Sequence, residues 1–161
     1  MKHMKLFKRR RTEGKTDYRK RLILLTGDAH RLVVRKSNRY ILLQIIDSVQ
    51  ARDSVRATFS TKDLISEGWP KDKAGSLKSI GAAYLVGYAL GKKVTGTIKG
   101  RVILDSGLTP HTKGSRMYAV IKGFSDAGMK INFSESVIPT KEKIEKEEFF
   151  KKVKANIDKK Q

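Results

Sequence analysis

The sequence predicts an α/β fold, a mixed sheet with elements in the order βββαβα and helices covering the sheet. Three observations predict it. Three runs rich in β-branched and aliphatic residues lie between positions 31 and 60. Two later segments carry apolar residues at helical spacing, with a short strand-like run between them. Ten of the first 21 residues are Lys or Arg, which predicts an extended basic arm ahead of the sheet.

The three early runs predict three antiparallel strands. Residues 31–36 and 39–47 are separated by the dipeptide Ser-Asn, and a two-residue polar link of this kind is typical of a tight hairpin. Residues 54–60 alternate between apolar and polar side chains, as expected for a half-buried strand.

The polar, turn-rich segment 61–75 predicts a loop with a short helix over residues 61–65. From Ser76 the apolar spacing becomes helical, and Gly91 followed by two lysines predicts the end of that helix. Its small residues predict close packing onto the sheet; they are Gly81, Ala82, Ala83 and Gly87.

The second half of the chain predicts a fourth strand and two further helices. Residues 101–105 form a short buried strand, and a helix capped by Ser115 ends at Gly128. Thr140 is expected to cap a single charged helix that runs to about residue 158. The thin apolar stripe of that helix predicts peripheral docking, or docking against a partner.

Gly14 divides the basic arm, residues 5–21, into two pieces. We expect residues 5–15 to be extended, spanning roughly 35 Å, and Thr16 to cap a short helix over residues 18–25. The chain of 161 residues then divides into the arm with its helix (1–27), a globular α/β domain (28–139) and the charged C-terminal helix (140–161).

The charge predicts a polyanionic partner. Lys and Arg number 36 against 16 acidic residues, a net charge of +20, and residues 1–21 alone carry a net charge of +8. A basic tail also serves as a solubility device, a localisation signal or a tether to anionic membranes. Membrane tethering needs an apolar face, and the arm offers only Leu6, Phe7 and Tyr18. We therefore favour nucleic acid.

No enzyme signature or cofactor motif emerges, and we expect no cofactor. The three histidines are scattered, and the absence of cysteine excludes disulfides and thiolate metal sites. Asp47 and Asp105 both end strands, which leaves a metal-dependent nuclease open, although strand-ending Asp is common in turns. No apolar run is long enough to span a membrane and the first 20 residues lack a secretion signal, so we expect a cytoplasmic protein.

Three regions are candidates for RNA contact. Arginines of the arm suit phosphate, Thr16 suits a 2′-hydroxyl, and Tyr18 either stacks on an unpaired base or packs against the core. The tip of the first hairpin and the loop before Ser115 are also basic; each is otherwise a solvated turn or a plain helix cap. The predicted RNA-binding residues are Lys8, Arg9, Arg10, Arg11, Lys15, Thr16, Tyr18, Arg19, Arg21, Arg35, Lys36, Asn38, Arg39, His111, Lys113 and Ser115.

Three segments together resemble one protein family: KRRRTEGKTDYRKR at 8–21, RLVVRKSN at 31–38 and GLTPHTKGSR at 107–116. It is the family of large-subunit ribosomal proteins that bind 5S ribosomal RNA, called L-eighteen in bacteria and L-five in eukaryotes. The likeness runs in order from about residue 5 to residue 139, and it is closer to the archaeal and eukaryotic branch.

The resemblance implies three antiparallel strands, a helix, a strand and a helix. It also implies a non-enzymatic protein that clasps 5S RNA and joins it to the large-subunit RNA in the central protuberance. By position, the RNA-binding arm of the family corresponds to Arg9, Arg10, Arg11, Lys15, Thr16, Tyr18, Arg19 and Arg21, and its hairpin to Arg35, Lys36 and Asn38.

We accordingly expect a cytoplasmic ribosomal protein whose partners are 5S RNA, large-subunit RNA and neighbouring ribosomal proteins. No membrane contact and no homo-oligomer are expected, and the arm is expected to order when RNA binds. Two alternatives stay open: the metal-dependent nuclease, and a chromatin or nucleoid protein that binds duplex DNA.

Overall fold

The computed structural model describes residues 6–50 and 52–159. Its strands form one four-stranded sheet in the order β3-β2-β1-β4. The strands are β1 (His30–Lys36), β2 (Ile41–Val49), β3 (Arg52–Ser60) and β4 (Val102–Asp105). The α-helices are α1 (Arg9–Thr12), α2 (Tyr18–Thr26), α3 (Ile80–Val94), α4 (Arg116–Asp126), α5 (Lys141–Ile144) and α6 (Phe150–Lys159). No helix in this part of the chain has the length and apolar content to cross a membrane.

The mixed α/β sheet predicted from sequence is confirmed. β2 pairs antiparallel with both β1 and β3, and β4 adds to the other side of β1 in the parallel direction. The predicted two-residue hairpin link is wrong, because Lys36 pairs with Ile41 and four residues form the turn. The Ser37 hydroxyl closes this turn: it donates to the Tyr40 carbonyl and accepts from the Tyr40 N–H, both at 2.9 Å.

The two faces of the sheet differ because successive side chains of a strand point to opposite sides. Leu32 and Val34 of β1 are buried in the main hydrophobic core with α3 and α4. Arg31, Val33 and Arg35 point to the opposite face, which we call the arm face. One face of the sheet is therefore apolar and packs against helices, and the other face carries charged side chains.

The small residues of α3 allow two helices to approach closely, and the prediction that they pack onto the sheet is wrong for the glycines. A Cβ placed on Gly87 would lie 2.2 Å from the Val120 carbonyl oxygen in α4. A Cβ on Gly123 of α4 would lie 2.1 Å from the Tyr84 carbonyl oxygen. The backbones of α3 and α4 thus touch where a side chain would separate them.

Gly91 does not end α3 as predicted. It lies within the helix and, like Gly87, allows α3 to approach α4 closely. A Cβ there would lie 2.6 Å from the Ala127 side chain. The helix continues to Val94, where Thr95 donates its hydroxyl to the Gly91 carbonyl at 2.7 Å.

The C-terminal segment forms two helices, α5 and α6, and the prediction of one continuous helix is wrong. The turn between them lets consecutive aromatic rings reach different partners. Phe149 contacts Trp69 edge to face at 4.6 Å between centroids, and Phe150 contacts Tyr84 at 5.6 Å. Trp69 itself is fully buried, although it lies in the polar segment between β3 and α3.

The apolar stripe of α6 docks on the protein's own core rather than on a partner. Phe150, Val153 and Ile157 are all buried in the main cluster. The Tyr88 hydroxyl of α3 also donates to the Asp158 carboxylate of α6 at 2.7 Å.

We predict that Gly87→Ala lowers the free energy of unfolding by about 3 kcal/mol or more, because the new methyl group would clash with backbone that has no rotamer to change. Urea denaturation measures this. Gly75→Ala is the matched control, since a Cβ there has no atom within 4 Å; a loss of similar size in the control would contradict the packing explanation.

Candidate RNA interface

Residues 8–16 fold into a compact hook instead of the extended piece predicted for residues 5–15. The helical turn α1 is closed by N–H groups of Lys15 and Thr16, which donate to the Arg10 carbonyl at 2.9 and 3.2 Å. Gly14 makes the turn possible by adopting a left-handed φ of 62°. The Arg10 Nε also donates to the Thr16 hydroxyl at 2.9 Å.

Asp17, rather than the predicted Thr16, caps α2. Its carboxylate accepts the backbone N–H groups of Arg19 and Lys20, each at 3.0 Å. A carboxylate at this position also interacts favourably with the positive end of the helix dipole. Thr16 cannot act as the cap because its side chain already belongs to the hook.

Two adjacent side chains fix α2 to the sheet. Lys20 donates to the Ser106 hydroxyl at 3.1 Å and to the Gly107 carbonyl at 3.0 Å, just beyond β4. Arg21 forms an ion pair with Asp53 of β3 at 3.1 Å. The helix therefore has one anchor at each outer strand of the sheet.

A buried guanidinium, that of Arg31, lies at the centre of the arm face. Arg31 is 2% exposed and donates to Asp53 at 2.6 Å, to Ser48 at 2.7 Å and to Asp105 at 3.3 Å. Asp105 sits in register with Val33 on the adjacent parallel strand, so its carboxylate falls on this face. A charge this deeply buried is stable only when it is paired in this way.

Asp105 binds a second guanidinium as well. Arg35 donates to its carboxylate at 3.1 Å and to its backbone carbonyl at 2.9 Å. The Arg35 side chain remains 47% exposed, so it still presents charge to solvent.

The Asp53 carboxylate is ionised in this setting. Its partial burial acts to raise its pKa, but hydrogen bonds from Ser48 and Arg31, together with the nearby arginine charges, outweigh burial and lower the pKa below the usual value.

The arm and the sheet enclose a cleft of about 530 Å³ on the arm face. Its lining combines the hook, α2, the end of β1 and the turn after β4. Six predicted RNA-binding residues line the cleft: Arg10, Lys15, Thr16, Arg21, Arg35 and Lys36. Lys20 lines it too and was missing from the predicted set, although its place in the basic arm was the available signal.

Other predicted residues do not line the cleft. Arg9, Arg11 and Arg19 of the arm are exposed, and Arg9 pairs with Glu13 at 3.5 Å. The Lys8 ammonium lies 4.6 Å from the centroid of the half-buried Tyr18 ring. Asn38 and Arg39 are exposed at the hairpin tip, where the Asn38 carbonyl accepts from Lys78 at 3.2 Å.

The loop before α4 contributes Leu108 and Thr109 to the lining of the cleft, and His111 lies next to that lining. His111 Nε2 lies 2.8 Å from the Ser106 hydroxyl that also receives Lys20. The Gly114 N–H donates to the Val137 carbonyl at 2.8 Å, so that donor is already used. Lys113 is exposed, and Ser115 occupies the N-cap position of α4 without a side-chain hydrogen bond to the helix.

The two strand-ending carboxylates considered for a nuclease do not form a metal site. Asp47 contacts the His30 Nδ1 and accepts from Arg56 at 2.6 Å, whereas Asp105 is bound by Arg31 and Arg35. Within residues 6–50 and 52–159, no three His, Cys, Asp or Glu side chains are grouped to hold a metal ion.

The His30–Asp47 contact shifts both groups toward their charged forms. The hydrogen bond to Asp47 raises the pKa of the His30 imidazole, and partial burial of the ring only partly opposes it. Burial acts to raise the pKa of the Asp47 carboxyl, but hydrogen bonds from His30 and Arg56 outweigh it and leave the pKa below its usual value.

Comparison with known proteins identifies a family over most of the chain. Residues 2–101 match the family described as ribosomal large subunit proteins 60S L5 and 50S L18. The chain is also similar to the large ribosomal subunit protein uL18 of several archaea. The relative from Korarchaeum cryptofilum is 43% identical over 136 residues, which cover 84% of this chain and 68% of the relative.

Two further uL18 proteins give the same result. The one from Caldivirga maquilingensis is 42% identical over 84% of this chain and 64% of its own length. The one from Methanoculleus marisnigri is 39% identical over 84% of this chain and 75% of its own length. The match therefore spans about two-thirds to three-quarters of these relatives.

We predict that His30 stabilises the fold most in acid. Since its folded pKa is raised above the usual 6.5, its contribution is fully present below that pH and is lost as the pH rises through the folded pKa. Urea unfolding of wild type and His30→Gln at about pH 5.5 and about pH 9 measures the difference. It should be larger at the lower pH, where Asp47 is still ionised.

In the Asp47→Asn background the extra loss caused by His30→Gln at the lower pH should shrink, because the main contact that raises the His30 pKa is gone. An equally large loss at the lower pH in that background would contradict this assignment.

Proposed function

Because the chain belongs to the family of ribosomal large subunit proteins 60S L5 and 50S L18, we propose that it binds 5S ribosomal RNA. In this proposal it attaches that RNA to the large-subunit RNA in the central protuberance of the ribosome. It is a structural constituent of the large subunit and not an enzyme, and it acts in the cytoplasm as part of the ribosome. Its other partners are neighbouring ribosomal proteins.

The observation that best supports RNA binding is the basic cleft between the arm and the sheet. Three elements, the hook, α2 and the end of β1, bring the side chains of Arg10, Lys15, Arg21, Arg35 and Lys36 to one concave surface. Cations spread over a surface attract any polyanion, whereas a lined cleft also selects a shape. We assign the phosphate contacts of the RNA backbone to this cleft.

The cations that line the cleft differ in how strongly carboxylates of this chain already bind them. Arg21 and Arg35 each bind a carboxylate of the sheet and present only part of their charge outward. Lys15 pairs with Glu13 at 2.9 Å in an exposed contact, which contributes little and gives way readily to phosphate. Lys36 is exposed at the end of β1. Lys15 and Lys36 are accordingly the phosphate ligands, with Arg21 and Arg35 supporting them.

The arm also carries exposed arginines that do not line the cleft. We propose that the guanidinium groups of Arg9, Arg11 and Arg19 bind further phosphates of the RNA in bidentate fashion. Tyr18 at the start of α2 is half-buried, and we propose that its ring stacks on an unpaired base.

The remaining predicted residues lie at two other exposed places. Asn38 and Arg39 are at the hairpin tip, and His111 and Lys113 are in the loop before α4. We propose that these residues also contact RNA. Ser115 has less access, because it is partly buried beside the loop.

We predict that Arg9→Gln, Arg11→Gln and Arg19→Gln together weaken binding to 5S RNA and flatten its salt dependence. Removing one phosphate-binding cation should reduce the slope of log K against log salt concentration by roughly 0.7 to 0.9. Filter binding or fluorescence anisotropy across a salt series measures this.

The matched control removes three lysines exposed on α6, with Lys151→Gln, Lys152→Gln and Lys159→Gln. Both triple variants lower the net charge by the same amount, so an equal loss in the control would mean that RNA senses only total charge. A duplex DNA of similar length is the competitor, and wild-type binding to it as tight as to 5S RNA would favour the chromatin alternative.

A further inference from the structure

An acidic side chain, Asp53, holds the RNA-binding arm against the sheet. We propose that Asp53 is a positioning residue for RNA recognition: it favours binding although its own charge repels RNA. This inference rests on the proposed function, since it concerns how the same arm is presented to RNA.

The first support is the way in which α2 is held. None of the residues of α2 is buried; of its four aliphatic side chains, Leu22 and Ile23 are 66% and 67% exposed, and Leu24 and Leu25 are half-buried. A nine-residue helix is marginal on its own in water. With so little apolar burial to dock it, the position of α2 depends on polar contacts, and Arg21–Asp53 is one of its two anchors.

The second support is the rigidity of Asp53 itself. One of its carboxylate oxygens accepts from the Ser48 hydroxyl and from the buried Arg31, both at 2.6 Å. The other oxygen accepts from Arg21 of the arm. The Asp53 carboxylate is therefore already oriented by Ser48 and Arg31. Less conformational entropy is lost when Arg21 pairs with it.

Docking of α2 shapes the RNA site because the hook and the cleft are continuous with it. When only a fraction of molecules has the arm docked, the apparent affinity for RNA falls in proportion to that fraction. Weakening the Arg21–Asp53 anchor should therefore weaken binding without removing any RNA ligand.

Simple electrostatics predicts the opposite sign, which makes the inference testable. Asp53→Asn would raise the net charge by one from +20, and a more positive protein binds a polyanion more tightly. The positioning role predicts instead that Asp53→Asn binds 5S RNA more weakly, by about fivefold, the factor expected from the removal of one partly exposed ion pair.

Asp28→Asn is the matched control. Asp28 is exposed just beyond the end of α2 and forms no ion pair among the described residues, so its substitution adds the same charge near the arm without touching an anchor. We expect unchanged or tighter RNA binding from this variant. If the Asp53→Asn variant binds 5S RNA as tightly as the Asp28→Asn variant does, the proposal is overturned.

Hydrogen exchange of the free protein tests the docking directly. Amides of α2 should exchange faster in Asp53→Asn than in wild type, whereas amides of β1 should keep their protection. Equal acceleration in β1 would mean that the substitution loosens the sheet through Arg31, and unchanged protection of α2 would overturn the proposal.

A double-mutant cycle covers the case in which Asp53→Asn disturbs the sheet. Arg21→Gln removes the anchor from the arm side and leaves the buried Arg31–Asp53 pair intact. In the Arg21→Gln background, Asp53→Asn should cost no further RNA affinity, because the shared interaction is already gone. Fully additive losses contradict a positioning role.

These outcomes are separable from those of the proposed function. If wild type does not prefer 5S RNA, the proposed function fails, yet the exchange experiment, which contains no RNA, still decides whether Asp53 docks the arm.

Discussion

The buried guanidinium of Arg31 is the interaction on which the arm face depends. It lies at the centre of the sheet, 2% exposed, and its partners Asp53 and Asp105 come from strands on either side. Removing one partner of such a pair typically costs about 3–5 kcal/mol, because the other charge is left buried and unpaired. The pairing thus fixes two carboxylates in the middle of a strongly basic surface, and those carboxylates organise the cations around them.

The arrangement resolves a conflict in a chain of net charge +20. Cations gathered on one surface repel each other, and that repulsion opposes the concave site that RNA recognition needs. Asp53 and Asp105 offset part of it by holding Arg21, Arg31 and Arg35. Arg11, Arg19 and Lys36 are exposed, and Arg9 and Lys15 pair at the surface with Glu13 of the arm. Two classes of cation result: one is held by the carboxylates of the sheet, and the other remains available to the RNA that we propose as the ligand.

The opposite face of the sheet is stabilised by close helix packing and apolar burial instead of ion pairs. There α3 and α4 meet backbone to backbone at Gly87 and Gly123, and α6 covers α3 with buried Phe150 and Val153. Close packing and apolar burial supply the stability that the polar arm face cannot. A single sheet thus separates the hydrophobic core from the charged arm face.

The strands, the order of elements, the basic arm and the family could be predicted from the sequence, because periodicity, charge and motif are properties of neighbouring residues. The sequence also identified most of the cations that line the cleft. Which cations are paired internally depends on contacts between residues far apart in the chain: Arg31 and Asp53 are 22 residues apart, and Lys20 and Ser106 are 86 apart. The cap at Asp17 is local, since its partners are the N–H groups of Arg19 and Lys20. The glycine contacts of α3 and the break before Phe150 instead depend on partners that are distant in sequence, and no local pattern predicts which distant residues will meet.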